Sequence, residues 1–265
     1  MERVLLPTDL SRQSRMLVGC MPELSRFGIK KIILLYVRIE GVPLDRVIQK
    51  NLDDFRDKLQ EDGYDTDLEI VTGRRPADEI LEAARVHDVD TIILPSSGKG
   101  RTTHLLVGSN SLSVMKRSDV KVFLKRFVKG RGGDICEACP LTFRRTVVAL
   151  PPQSRDRGFM DKVNDLVEKG GLTNILLMNP VSGSTMEYGR DSIQDPGVVH
   201  ETLDTANYVV AEIPRGILET IKRESASLLV LPGCLREPLR GILRETPMGQ
   251  IVHNTKASIL IIPNN

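Results

Sequence analysis

The chain has 265 residues, 40% hydrophobic and 27% charged, which suffices for one large core or two of about 130 residues and excludes disordered and fibrous classes. Its 37 basic and 35 acidic side chains leave a net charge of +2 and a pI near 8.3, short of the strongly basic footprint of a nucleic-acid domain. The longest apolar runs, such as Lys31 to Val37 and Leu228 to Leu231, fall far below the roughly 20 residues of a membrane span.

The N-terminus, Met1-Glu-Arg-Val-Leu-Leu-Pro7, enters a short apolar run without a basic leader or cleavage site, so a cytoplasmic location is expected. Short apolar runs then alternate with helical patterns, as in βαβ units of a parallel sheet. Five strands are predicted in the first half, at Val4 to Leu6, Ile29 to Val37, Leu68 to Val71, Thr91 to Leu94 and Val120 to Leu124. Each reads as a nearly continuous apolar run, as for strands covered on both faces. Ser11 can cap the first helix, whose apolar positions Leu17, Val18, Met21 and Leu24 recur at helical spacing. Pro76 opens the third helix ahead of the first-turn acids Asp78 and Glu79, and the fourth begins near Gly108-Ser109.

The pattern then repeats. Thr91-Ile-Ile-Leu-Pro95 aligns with Leu228-Leu-Val-Leu-Pro232, a separation of 137, and the same offset carries Glu79 to Glu82 onto Gly216 to Glu219 and Val120 to Leu124 onto Ala257 to Ile261. The opening strand recurs as Val147 to Ser154 with the offset grown to 143. The expected architecture is α/β, with two tandem, Rossmann-like, open parallel five-stranded sheets and helices on both faces. A Gly- and Pro-bearing connector, Lys129 to Pro140, separates the copies, which gives a domain at 1–127, a linker at 128–143 and a second domain at 144–265.

Open parallel sheets bind ligands beyond the carboxyl ends of their strands, where the strand order reverses. The first strand ends in Pro7-Thr8-Asp9. The fourth is followed by Ser96-Ser-Gly98-Lys-Gly100-Arg-Thr-Thr-His104, and the next helix starts at Gly108-Ser109-Asn110. Small residues and a helix start let backbone N–H groups approach an oligophosphate.

A first strand ending in P-T-D, a G-x-x-G-(x9)-G-[S/T] pattern after the fourth strand and Gly73-x-x-Pro76 before the third helix together resemble the universal stress protein family. The likeness extends over both copies, as in tandem two-domain members. It implies strand order 3-2-1-4-5, dimer-like pairing of the two domains and, as in some members, ATP held with Mg²⁺. Carried over by position, Asp9, beside Pro7 and Thr8, would meet the adenine or ribose end. Val37 would meet adenine through its backbone, and Gly98, Gly108, Ser109 and Asn110 would hold phosphates. Pro95 stands where the motif has its first glycine, so the loop path or one phosphate contact differs. In the second copy Pro152, Leu235, Glu245 and Thr246 replace Asp9, Gly98, Gly108 and Ser109, so that copy is expected to fold without binding ATP.

Plainer readings stand beside these. The glycines are common turn residues, and Asp9 is also well placed to cap the first helix. Cys136-Glu-Ala-Cys139 is half a zinc site or a redox dithiol, with no second pair in sequence. Cys20 reads as helix core. Four scattered cysteines do not form a secreted disulfide framework and fit a reducing compartment. His87, His104, His200 and His253 show no metal spacing, and Lys125, Arg126, Lys129 and Arg131 read as a solvated edge. Neither a Walker motif nor a G-x-G-x-x-G fingerprint occurs, and no acid/base pair points to turnover. The expected role is a regulatory nucleotide-binding module and not an enzyme. An interaction scaffold without nucleotide is the alternative, and an ATP-pyrophosphatase-like enzyme ranks lower because Pro7 to Ser11 has no glycine. Monomer and homodimer both remain open.

Overall fold

The computed structural model describes residues 1–96, 107–127, 143–150, 157–169, 172, 174–179, 185–188, 213–236 and 246–263, which fall into two compact α/β units. The first unit holds β1 (Arg3–Thr8), α1 (Arg12–Leu24), β2 (Lys31–Ile39), α2 (Arg46–Glu61), β3 (Asp65–Gly73), α3 (Pro76–Val86), β4 (Thr91–Pro95), α4 (Ser109–Arg117) and β5 (Lys121–Lys125). All five strands run parallel in the order β3-β2-β1-β4-β5. The order reverses at β1, which pairs β2 through Thr8↔Tyr36 on one side and β4 through Leu5↔Ile92 on the other.

Every expected strand of the first unit is present, with no end moved by more than three residues. The largest change is β3, which runs Asp65–Gly73 where only Leu68 to Val71 looked strand-like. Its start alternates exposed Asp65 and Asp67 with buried Thr66, so a search for continuous apolar runs misses it. β3 is an edge strand and not one covered on both faces. Its charges protect that edge, and Lys31 on β2 lies 3.4 Å from Asp65 and 2.7 Å from Asp67.

α1 and α2 pack on the sheet through stripes at helical spacing, Leu17, Val18, Met21 and Leu24 on α1 and Leu52, Phe55 and Leu59 on α2. Pro22 near the end of α1 supplies no N–H, and the chain tightens into a 3-10 turn in which the Ser25 N–H donates to the Pro22 carbonyl. The Met21 carbonyl is instead satisfied from β3's approach, where the buried Tyr64 hydroxyl donates to it at 2.7 Å. Phe27 and Phe123 meet beneath this end with ring centroids 6.4 Å apart.

The second unit holds β6 (Thr146–Ala149), α5 (Arg157–Glu168), β7 (Ile175–Met178), β8 (Thr185–Tyr188), α6 (Ile213–Arg223), β9 (Leu228–Pro232), α7 (Pro247–Asn254) and β10 (Ser258–Ile262). Its strand order, β8-β7-β6-β9-β10, copies that of the first unit. It departs from an all-parallel sheet at one place, because β8 pairs β7 antiparallel. Only residues 179–184 separate those strands, and a parallel return needs a crossover of a dozen or more residues.

The offset of 137 extends to backbone detail. α3, β4 and β5 map onto α6, β9 and β10 residue for residue. α3 ends with Asp88 in the left-handed region (φ 48°), where the N–H groups of Asp88 and Val89 donate to the carbonyls of Arg85 and Ala84. α6 repeats this cap with Ser225 (φ 51°), Ala226, Lys222 and Ile221. Both are Schellman ends without the customary glycine.

Candidate functional site

β1 delivers Pro7, Thr8 and Asp9 to the carboxyl edge of the first sheet. Pro7 and Thr8 are buried strand residues, paired with Leu35 and Tyr36, and the exposed Asp9 follows at once. The next residues make a tight polar turn. The Leu10 N–H donates to Thr8 Oγ1 at 3.1 Å, and Leu10 itself takes the left-handed conformation (φ 57°), which costs a leucine about 1 kcal/mol. Asp9 Oδ1 accepts from the Ser11 N–H at 3.0 Å and from the buried Ser14 hydroxyl at 2.7 Å. Burial raises the Asp9 carboxyl, but the hydrogen bonds from Ser11 and Ser14 outweigh it and hold its pKa below the ordinary 3.8. Asp9 is a fixed anion at neutral pH.

The helix cap itself is Ser11, whose side chain accepts from the Ser14 N–H at 3.3 Å. The reading of Asp9 as the cap is therefore corrected. Asp9 stands one shell outside the cap, and its second carboxylate oxygen is left for another partner as far as the described contacts go. Ser14, which sequence inspection passed over, is the side chain that orients Asp9. Its only signal was its position one helical turn beyond Ser11.

Val37 lies on the same edge. The β1–β2 ladder ends at Thr8↔Tyr36 whereas β2 continues to Ile39, so from Val37 onward β2 has no β1 residue opposite. Val37 is half-buried and pairs with Val71 of β3 on its other side. The Pro95 that interrupts the glycine pattern is the last residue of β4, opposite Lys125, and the following Ser96 N–H donates to the Lys125 carbonyl at 2.9 Å. Proline is tolerated at such a strand terminus.

Gly108 forms the N-cap of α4 without a side-chain hydrogen bond, and no acid occupies the first turn. Ser109 and Asn110 are exposed there, so the first N–H groups of α4 have no intrahelical acceptor and carry the positive end of the helix dipole. The matching start of α7 is built differently. Thr246 Oγ1 accepts from the Gly249 N–H at 3.1 Å, and Pro247 at the first position has no N–H. Leu235, opposite number of Gly98, is buried in the short 3-10 segment Gly233–Arg236.

Gly98, Gly100 and His104 lie outside the described residues, as do Pro152, Glu245, Cys136, Cys139 and His200. His87 contacts Glu69 at 2.6 Å on the flank of the sheet. Lys125 and Arg126 were read as a solvated edge and are instead buried, Lys125 with its ammonium 3.3 Å from Glu23 on α1. Burial lowers the Lys125 pKa against the opposing pull of Glu23, and burial brings Arg126 down to about 10. Among the described residues no group of three or more His, Cys, Asp or Glu could hold a metal ion, and no helix is long and apolar enough to cross a membrane.

Comparison with known proteins places these features. Residues 1–126 match the family model of the universal stress protein family. Across nearly the whole chain the fold is similar to that of a universal stress protein from Archaeoglobus fulgidus DSM 4304, with 17% identity, a TM-score of 0.67, and coverage of 99% of this chain and 96% of that one. A putative universal stress protein from Pseudomonas aeruginosa UCBPP-PA14 gives 13% identity, a TM-score of 0.63 and coverage of 99% and 93%. A universal stress protein in complex with cAMP matches 47% of this chain over 95% of its own length, at 24% identity and a TM-score of 0.38. No curated protein sequence matches. The first half of the chain, residues 1–126, is a domain of the universal stress protein family, and a second unit with the same strand order follows it.

Proposed function

We propose that the first unit binds an adenine nucleotide, ATP with Mg²⁺ foremost, and that the second unit has the fold without the site. The observation that carries this reading is the contrast between two helix starts at equivalent positions. α4 begins at Gly108 with no side-chain cap among the described residues, whereas at the start of α7 Thr246 Oγ1 takes the Gly249 N–H and Pro247 offers none. Phosphate would bind the first arrangement through backbone donors and the helix dipole. Asp9, held as an anion by Ser11 and Ser14, would accept hydrogen bonds from ribose hydroxyls or the adenine amine. Val37, at the end of the β1–β2 ladder, would take the base against its backbone, and Gly98 would complete the phosphate loop.

Mg²⁺ would screen the phosphates of the bound nucleotide, with its remaining ligands from water. The chain's own residues bind and orient, and the output is a ligand-dependent conformation in stress-response regulation, with residues 128–143 as linker and the second unit as a built-in partner. A nucleotide-free interaction scaffold is the second reading, favoured by Pro95 in place of the motif's first glycine. Calorimetric titration of nucleotide-stripped protein with Mg-ATP separates the two. The proposal expects saturable binding that Asp9→Ala weakens by about tenfold or more, the value of one charge-assisted hydrogen bond. Absence of binding at millimolar ATP favours the scaffold.

A further inference from the structure

Away from the Asp9 edge of the first sheet, a cleft of about 470 Å³ runs along α3 to the residues that follow α4 and lead into β5. Its floor is apolar, with half-buried Leu81 and Val120 beside buried Ala84 and Val89. The two arginines that line it are already engaged, Arg117 with Asp78 and Arg85 with Glu82. Asp88 and Asp119 are left over, both exposed and without an ion pair among the described residues. Each stands two residues beyond the end of a helix, α3 or α4, where the helix dipole is already negative. Acids at these places work against the stability of their own unit and make the cleft a site of negative potential.

The internal repeat supplies the complement. At the offset of 137 the entries to β9 and β10 copy those to β4 and β5, for the Ser258 N–H donates to the Ser227 carbonyl as the Lys121 N–H donates to that of Asp90. On this shared frame Ser225 and Lys256 stand in place of Asp88 and Asp119, and Lys222 in place of Arg85. Arg215, at the position of Asp78, is tied to Glu219, at the position of Glu82. Lys222 and Lys256 are left over, both exposed and without an ion pair among the described residues. Equivalent faces of the two units therefore carry surplus charge of opposite sign. Lysine also suits the cleft in shape, since its stem can lie on Leu81 and Val120 while its ammonium reaches a carboxylate.

We propose that a second copy of this chain docks at the cleft, presenting the Lys222 and Lys256 face of its second unit to Asp88 and Asp119 of its neighbour's first unit. All four side chains are exposed in the single chain, so each is open to a partner. The signs fix the pairing, because like faces repel and only unlike faces of two copies attract. A contact that rests on a few exposed charges is weak and is screened by salt.

The test is sedimentation velocity of the full chain over a range of concentration and ionic strength. The proposal expects concentration-dependent association at low salt, weakened by about tenfold or more as sodium chloride approaches 1 M, where the Debye length is about 3 Å. Asp88→Asn with Asp119→Lys turns the cleft face positive, and asparagine keeps the left-handed turn at position 88. Lys222→Glu with Lys256→Glu turns the other face negative. Each paired variant alone then has two faces of one sign and should lose self-association by about tenfold or more. An equimolar mixture of the two variants should recover it, which misfolded chains could not do. A wild-type chain that stays monomeric at low salt overturns the proposal, as does association indifferent to salt and to both variants. Loss in each variant with no recovery in the mixture overturns it as well.

Discussion

Tyr64→Phe isolates one interaction that fixes the helix on which the candidate site is mounted. The phenol hydroxyl is buried and donates at 2.7 Å to the Met21 carbonyl, which has lost its ordinary helical donor because the Ser25 N–H turns to Pro22. Phenylalanine keeps the ring and removes only the donor, so a buried carbonyl is left unsatisfied at a cost of about 1–3 kcal/mol. For a unit of roughly 125 residues, about 2.1 cal/mol/K per residue of unfolding entropy converts each kcal/mol into about 4 °C, so the first unit should melt about 4–11 °C lower. Urea unfolding followed by hydrogen exchange at α1 amides reads that unit separately from the second, with a lower midpoint and an unchanged slope expected. A further check comes from pH. Burial raises the Tyr64 pKa above 10.0, reinforced by the charge of Asp62. The stability linked to a protonated Tyr64 is therefore complete below pH 10 and lost as pH rises through the higher folded value, and the variant should lack that alkaline loss. An unchanged midpoint, or the same alkaline loss in Tyr64→Phe, would refute the reasoning.

Further outcomes follow from other contacts. The Asp9 and Asp90 pKa values are lowered, in each case because hydrogen bonds outweigh burial. Their contribution to stability is present above the ordinary 3.8 and is lost as pH falls through the folded values, and NMR titration of the carboxyl carbons should find both below 3.8 in the native chain. Ser14→Ala removes the 2.7 Å donor to Asp9 and should raise the Asp9 pKa in the same titration, while Ser25→Ala, at the far end of α1, should leave it unmoved. Replacing Asp88 or Ser225 by glycine relieves the left-handed backbone at two equivalent helix ends, and each should stabilise its unit by about 0.5–1 kcal/mol in urea unfolding after the entropy of glycine is counted. Lys125 has its pKa lowered by burial, so stability should rise as pH increases from its folded pKa toward 10.5, and Lys125→Met should flatten that rise.

The sequence made the repeat legible because β-branched and leucine runs at a constant spacing mark buried parallel strands, and the caps at Asp88 and Ser225 follow the same spacing. What it hid has physical causes. The first half of β3 faces water on alternate residues and has no apolar run. The reversal of β8 depends on loop length and not on side-chain pattern. The Glu23–Lys125 pair joins residues 102 apart, so a basic residue at a strand end looked like solvated edge until α1 was placed against it. At the candidate site, P-T-D and Gly108-Ser109 fall at the end of β1 and the start of α4, as their sequence patterns suggest. The roles of Ser14 and Leu10 arise from the folded turn, where a left-handed leucine brings a serine hydroxyl onto the carboxylate.

The central claim is that the first unit binds nucleotide and the second does not, and the stoichiometry of Mg-ATP binding tests it most directly. Gly108 is in the extended region at φ −60°, so Gly108→Glu, which installs the residue found at the equivalent position 245, places a carboxylate at the helix start without backbone strain. The account predicts one ATP per wild-type chain, none for Gly108→Glu, and still one for Glu245→Gly, because Thr246 and Pro247 keep the start of α7 closed. Two ATP per chain, or undiminished binding by Gly108→Glu, would contradict it.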